Sequence, residues 1–339
     1  IYNAANPEGP YPVGEWLADG WQLGLCAFDD YLMVADYGVG VRILEVTDPA
    51  APTVVGQCDT PGGAIRATIA GDYAYVADDE AGIQILDISQ IDEPEQKGSF
   101  DTPGRAFDVA VQDSYAYVAD YENGLCVLDI SDPELPGFVT SFETGGRAYE
   151  VEVAGDYAYL ADAWDGLQVI DISEPSNPQP AGNFALPTSW ACGVAIDGNY
   201  AYVAYHGEGL KVLDIYHPTL PVLVGSCSTP GFAWSVTVAD GYAYVADYES
   251  GVCAVNVSDP ATPVFVGSYD TPGYSRSTAM VGEYLFVGDG YGLIVLELDE
   301  ETSIDPDAGD VLPSRFSARQ NYPNPFNAST VIEYSLPHA

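Results

Sequence analysis

A hexapeptide, Tyr-Ala-Tyr-Val-Ala-Asp, returns along this chain at a nearly fixed interval, and that period limits the fold more than any other feature. It reads unchanged at residues 73–78, 115–120 and 242–247, and with Leu for Val at 157–162. Looser copies occupy 31–36, 200–205 and 284–289. The leading tyrosines, Tyr31, Tyr73, Tyr115, Tyr157, Tyr200, Tyr242 and Tyr284, stand 42 residues apart, with one interval of 43. A repeat of this length is one supersecondary unit that buries its apolar face only against its neighbours.

The third repeat shows the unit. Residues 106–111 alternate and read as strand A, 112–114 as a turn, and 115–119 as strand B. A second turn over 120–124 leads to strand C at 125–130; Ser131-Asp132-Pro133 breaks the chain, and 138–142 is strand D. Each segment is rich in β-branched and aromatic residues and bounded by Gly, Pro, Asp or Ser. Four antiparallel strands per repeat make a propeller blade, and seven repeats predict an all-β, seven-bladed β-propeller over residues 1–299. The 35 Gly and 25 Pro suit so many turns. No apolar run approaches the roughly 20 residues of a membrane helix.

The seventh repeat has strands A, B and C (276–281, 284–288 and 293–298) but no strand D. Its counterpart lies at the other end of the chain. Residues 10–16, Pro-Tyr-Pro-Val-Gly-Glu-Trp, match Pro-Val-Leu-Val-Gly-Ser-Cys at 221–227 and Pro-Val-Phe-Val-Gly-Ser-Tyr at 263–269. The N-terminal strand is therefore expected to complete the last blade and close the ring, leaving no open edge between blades.

Charge narrows the partners. Nine Lys and Arg stand against 51 Asp and Glu, a formal −42. That surface repels nucleic-acid phosphates and anionic membranes. It solvates the chain and resists aggregation, or it bridges carboxylates through divalent cations; calcium is the one cofactor the sequence leaves room for. Asp36, Asp78, Asp120, Asp162, Asp247 and Asp289 follow strand B in six repeats and fall on one face by symmetry. They read as caps bonding backbone amides of the B–C turn or as a metal-binding ring. The fifth repeat substitutes Tyr205-His206.

The cations cluster. Arg66, Arg105, Arg147 and Arg276 sit at or just before strand A, the strand nearest the axis. Equivalent or neighbouring places hold Trp21, Trp190, Phe232, Trp234 and Tyr274. An aromatic and guanidinium collar at an axial mouth suits a glycan or an anion; the competing reading pairs each Arg with a nearby Asp and packs each ring between blades. Catalysis finds little support. His206, His217 and His338 form no metal-spacing pair, and no nucleophile–base arrangement is legible. Asp305–Asp310 resembles a calcium loop only faintly, without the Gly and late Glu. Among six cysteines, Cys58 and Cys227 occupy an apolar strand-D position and Cys26 and Cys192 lie on inner strands. Cys126 and Cys253 replace residues that are polar elsewhere (Arg42, Gln84, Gln168, Lys211) and so read as more exposed. No disulfide pairing suggests itself. Asn256 and Asn327 fit a glycan acceptor pattern.

Leu-Asp-Ile-Ser at 86–89 and 128–131, Ile-Asp-Ile-Ser at 170–173, and the following Asp-Pro and Val-Gly-Ser elements resemble the LVIVD repeats of bacterial and archaeal surface propellers over roughly 10–298. The resemblance implies an extracellular or cell-surface location and no defined activity. After an acidic linker at 300–313, Gln320–Asn327 (Gln-Asn-Tyr-Pro-Asn-Pro-Phe-Asn) and Ser-Thr-Val-Ile-Glu-Tyr-Ser-Leu-Pro at 329–337 are similar to the start of the immunoglobulin-like sorting domain of type IX secretion cargo, also the FlgD-like module. With a first residue, Ile1, that is not Met, this suggests export and contact with the secretion machinery. Residues 314–339 hold only the domain's first strand, Val331, Ile332, Glu333, Tyr334, Ser335 and Leu336. Two readings stay open: a truncated, disordered stub, or a strand donated to a sheet edge of another subunit. The second would build a homo-oligomer or filament. The sequence thus predicts a non-enzymatic structural or interaction propeller that assembles through its tail, with ligand binding at the collar as the alternative.

Overall fold

The computed structural model describes residues 2–3, 12–18 and 21–297. The chain divides into two units, Ile1–Glu300 and Glu301–Ala339, and the described residues belong to the first. The tail strand, with Val331, Ile332, Glu333, Tyr334, Ser335 and Leu336, and the sorting-domain resemblance fall outside the described residues.

Every described element is a strand or a turn. Six blades are four-stranded antiparallel sheets in simple A-B-C-D order. The first runs Trp21–Phe28, Tyr31–Tyr37, Gly40–Glu45 and Thr53–Cys58, and the third runs Asp108–Gln112, Tyr115–Ala119, Leu125–Asp129 and Gly137–Phe142. The seventh blade takes Ser277–Val281, Tyr284–Gly288 and Gly292–Glu297 from the end of the unit, and its fourth strand, Pro12–Leu17, from the beginning. Trp16 pairs with Leu293 and Pro12 with Leu296, so the ring closes as the sequence predicts. A two-residue strand, Tyr2–Asn3, adds a parallel pairing at Leu296 and Glu297 that the sequence did not announce.

The repeat motif follows from packing. In strand B of the second blade, Ala74, Tyr75, Val76 and Ala77 are all buried, whichever face they point to. Each blade is covered on both sides by its neighbours, so the strand reads as continuously apolar rather than alternating. The clusters confirm it: Tyr75, Ile83 and Ile85 of the second blade pack with Val109, Val118 and Leu128 of the third. Val13 of the closing strand joins Phe286, Leu293 and Val295 of its own blade and Leu32, Val34 and Leu44 of the first.

The Val-Gly-Ser and Asp-Pro elements explain each other. A Cβ on Gly98 would strike the carbonyl of Pro133 in the next blade, and one on Gly225 would strike that of Pro260. Gly14 meets Pro49 in the same way, which carries the outer lock across the closure. A side chain there would push adjacent blades apart.

Candidate functional site

The site is the axial mouth on the face that carries the B–C turns and the D–A crossovers. Its frame is the repeat aspartate. Asp78 accepts the Thr60 hydroxyl at 2.6 Å and the Gly62 N–H at 2.8 Å. Asp120 does the same with Thr102 and Gly104, Asp162 with Thr144 and Gly146, and Asp247 with Thr229 and Gly231. In these four blades the amide therefore belongs to the incoming crossover and not to the B–C turn that the sequence suggested. Asp289 does bond its own turn, through the N–H groups of Tyr291 and Gly292. Asp36 pairs with Arg42 at 3.2 Å. Burial raises the carboxyls of Asp78, Asp120, Asp247 and Asp289 above the usual range, and that of Asp162 to about 7. The six carboxylates thus sit in separate blades, each engaged locally. Among the described residues no group of three or more His, Cys, Asp or Glu is placed to hold a metal.

The strand-C position beside this aspartate corrects the reading of the cysteines. Cys126 and Cys253 are fully buried, and the Cys253 thiol lies 3.4 Å from the Asp247 carboxylate. Of the polar residues at the same place Arg42, Gln84 and Lys211 are buried and Gln168 is half-buried, and three of them serve the B–C turn: Gln84 donates to the Ala81 carbonyl, Gln168 to that of Asp165 and Lys211 to that of Glu208. Polarity there marks a bonding position, not exposure. All six cysteines are free thiols.

The fifth blade breaks the pattern at two linked places. Tyr205 stands where the aspartate should be, and its hydroxyl donates to the Phe184 carbonyl at 2.9 Å. The Ser189 hydroxyl donates to the His206 carbonyl at 3.0 Å. The crossover from Phe184 to Ala191 is one residue longer than that from Phe142 to Ala148, which accounts for the single 43-residue interval.

Beyond the aspartate, the chain is stitched to the next blade. Asp79, Tyr121, Ala163 and Tyr248 adopt left-handed backbone, with φ of 54°, 47°, 48° and 54°. Each forms an isolated bridge to the residue that enters the following strand A: Ala106, Ala148, Ala191 and Ser275. That pairing is why strand A of the third blade begins at Asp108 and not at Ala106. A bulky residue held at positive φ is strained. At Tyr121 and Tyr248 this backbone carries a ring that stacks on Phe107 and on Tyr274, respectively.

The four arginines lie at three levels. Pairing with the small residue before the repeat aspartate or Tyr205 fixes equivalent positions. At the neck stand Arg66, Asp108, Glu150, Gly193, Ser235 and Ser277 of blades two to seven. One residue earlier is an inner ring of Ile65, Phe107, Tyr149, Cys192, Trp234 and Arg276. Three residues earlier is an outer ring of Gly63, Arg105, Arg147, Trp190, Phe232 and Tyr274, with Trp21 in blade one. The inner ring, with Trp21, Tyr37, Arg66 and Arg105, encloses a cavity of about 260 Å³.

Three of the four guanidiniums have carboxylates. Arg66 meets Glu150 at 2.7 Å across the neck. Arg105 binds Asp79 through Nε and Nη2 and lies over the Phe107 and Tyr121 rings. Arg147 is half-exposed, 3.4 Å from Glu122 and over Tyr121. Arg276 differs. Its guanidinium sits 5.5–5.7 Å from the centroids of Trp21, Trp234 and Tyr248. Among the described residues no carboxylate comes within 4 Å of it, and its buried Nε has no hydrogen-bond partner.

The aromatic collar is continuous over several blades. Phe107 stacks on Tyr121 at 4.6 Å, Tyr149 sets its edge to both, and Tyr248 stacks on Tyr274 at 4.6 Å. A second run places His206 between Trp190 and Phe232, at 4.9 and 4.3 Å, with exposed Trp164 beside Trp190. Burial lowers the His206 pKa. It also raises the Tyr149 hydroxyl, and the Cys192 thiol to about 12, so both stay protonated at neutral pH.

Below the neck a channel of about 440 Å³ holds Asp108, Glu150 and Glu152 against Arg66 alone. Asp108 accepts the Val151 N–H at 2.9 Å. Desolvation, opposed by Arg66, raises Glu150, and desolvation with Asp108 lifts Glu152 to about 7.

The sequence singled out Trp21, Trp190, Trp234, Tyr274 and the arginines, and the structure places all of them at the mouth. It missed Tyr37, Tyr121 and Tyr248, although each directly follows a repeat aspartate. It also missed Phe107 and Tyr149, which share a column with Trp234 and Arg276.

Three comparisons bear on the chain. A sequence profile described as "LVIVD repeat" matches residues 24–60, 61–102, 103–144, 145–185, 190–229, 230–271 and 272–298. No curated protein matches it. Among solved structures, the computationally designed Ika8 protein is similar with a TM-score of 0.64 and 7% identity, over 85% of this chain and 99% of that one. The structure of U3-55K is similar with a TM-score of 0.69 and 12% identity, over 85% of this chain and 100% of that one. At such identities the likeness is one of fold.

Proposed function

The chain belongs to the LVIVD-repeat family, and from that premise we propose that it is a non-enzymatic interaction propeller of the cell surface or extracellular space that binds a ligand in its axial mouth. One observation carries the reading. On a chain of formal charge −42, four of the seven cations outside the tail gather at this mouth, and one of them, Arg276, faces a cavity from among three aromatic rings without a carboxylate partner among the described residues. A guanidinium set among aromatic rings with no carboxylate beside it is left able to receive an incoming anion. Convex fold surfaces need no such arrangement, whereas concave, mostly aromatic pockets with a few convergent polar groups are how small ligands are held. The test is a glycan and small-anion screen of the full chain, read by tryptophan fluorescence, since Trp21 and Trp234 line the cavity. Binding that is lost in Trp234→Ala supports the site; binding untouched by that change places the ligand elsewhere.

Self-assembly through the tail is the second reading. Its support is the alternation of Val331 to Ser335 together with apolar residues exposed on fourth strands, such as Val222, Leu223, Val264 and Phe265. An added strand would find both backbone partners and apolar contacts there. Negative-stain images of the full chain and of a version lacking residues 314–339 decide it: filaments that persist without the tail remove the connector role. Export by a type IX route would be tested by secretion of the same pair.

A further inference from the structure

We infer that the mouth takes a small monoanion, a single carboxylate carried on one six-membered ring, with the carboxylate against Arg276 and the ring face against Trp234 and Tyr149. The inference rests on the reading of the mouth as the binding site and goes further by fixing the ligand's chemistry. Sign comes first. Arg66, Arg105 and Arg147 already face Glu150, Asp79 and Glu122, so Arg276 is the guanidinium at the mouth without a carboxylate partner among the described residues. A neutral ligand can offer a hydroxyl or carbonyl oxygen but leaves the guanidinium without a counter-charge, and a cation would be repelled at contact range. A planar guanidinium accepts a carboxylate through two parallel bonds, which also fixes orientation.

Size and shape follow. A cavity of about 260 Å³ lies just under the range for drug-sized ligands and holds one ring with its substituents. Its walls at Trp234, Tyr149 and Phe107 are aromatic, and tilted contacts such as Tyr149 to Trp234 at 5.8 Å leave ring surface that a flat body can cover. The number of charges is set by the rim. Exposed Glu80, Glu122 and Glu249 stand on the B–C turns around the mouth. Glu122 is already held by Arg147, and of the four guanidiniums at the mouth only Arg276 has no carboxylate within 4 Å among the described residues, so one positive charge is left for an incoming anion. A polyanion is therefore disfavoured and a monoanion is not.

Two sources share this chemistry, a sugar acid and an aromatic acid. The experiment titrates the full chain with galacturonate, benzoate, their methyl esters and a galacturonate tetramer, by calorimetry and tryptophan fluorescence. At least one acid is expected to bind in the millimolar range or better, its ester about tenfold more weakly, and the tetramer no more tightly than the monomer. Which acid binds identifies the source. Arg276→Gln is expected to remove the difference between acid and ester, and Arg276→Lys to restore part of it; thermal midpoints close to wild type show that both variants fold. If ester and acid bind alike and Arg276→Gln changes nothing while Trp234→Ala abolishes binding, the anion inference fails and the mouth reading stands. If Trp234→Ala also leaves binding unchanged, both fail. No binding of either acid at 10 mM, on the order of the weakest useful affinity, or a tetramer that binds far more tightly, overturns the inference.

Discussion

Thr102 and Asp120 lie eighteen residues apart and meet in the interior, hydroxyl to carboxylate, at 2.6 Å. With the Gly104 N–H at 2.8 Å, the pair ties the crossover entering the third blade to that blade's second strand. Asp120→Ala strands a buried hydroxyl and an amide together and is expected to destabilise the ring by about 3 kcal/mol. Thr102→Val removes one donor and leaves the other bond intact, so about 1 kcal/mol is expected. Urea midpoints of the two variants measure the order; equal losses would mean that the crossover is held by packing alone.

The period of 42 made the number of blades, the closing strand and the location of the mouth legible, because each depends only on equivalent residues occupying equivalent places. Partners were less legible. Asp120 looked like a cap for its own turn because the turn is adjacent in sequence, while Thr102 becomes a neighbour only when the crossover folds back. Cys126 looked exposed because Gln84 and Lys211 are polar, yet those side chains bond carbonyls of the turn beneath them. The arginines looked like one ring because each lies near the start of strand A. A shift of one residue moves a side chain to another level and another partner, as Arg66 and Arg276 show. Tyr205 was visible as an exception; its compensation by a longer crossover required the Phe184 carbonyl to be seen beside it.

Acidic residues give the fold an unusual pH dependence. Burial lifts Asp162 from 3.8 to about 7, and its counterparts Asp78, Asp120 and Asp247 rise as well. A carboxyl whose folded pKa is raised binds its proton more tightly in the folded state. Its contribution is complete below the unfolded value and is lost as pH climbs toward the folded one. For Asp162 stability is therefore expected to fall between about pH 4 and 7, by on the order of 1 kcal/mol per pH unit, with its counterparts acting in the same direction. Asp162→Asn should flatten that slope by about one proton's worth. Chemical denaturation across the range checks it, and a wild-type curve that rises with pH would contradict the assignment.

Val13 anchors the closing strand. It is buried among Phe286, Leu293 and Val295 of its own blade and Leu32 and Val34 of the first. Val13→Asp places a carboxylate there without a partner, with an expected loss of about 3 kcal/mol or more. The loss should appear first as faster amide exchange in Gly292–Glu297, the strand that Pro12–Leu17 covers. Exchange confined to other blades would mean that closure does not depend on this contact.

Ala163 and Tyr121 hold the same left-handed backbone, at φ of 48° and 47°, and differ in what they gain from it. A non-glycine residue there costs about 1–2 kcal/mol, while glycine loosens the unfolded chain by about 0.5–1 kcal/mol. Ala163 has only its methyl group to lose, so Ala163→Gly should stabilise the ring by up to about 1 kcal/mol. Tyr121 stacks on Phe107 at 4.6 Å and carries Arg105 and Arg147 over its face. Those contacts are together worth more than the strain, so Tyr121→Gly should destabilise by about 1–2 kcal/mol. Paired urea curves decide between strain and ordinary turn geometry. Destabilisation of both variants alike would mean that left-handed backbone carries no penalty here, and the rings of Tyr121 and Tyr248 would then owe their place to packing alone.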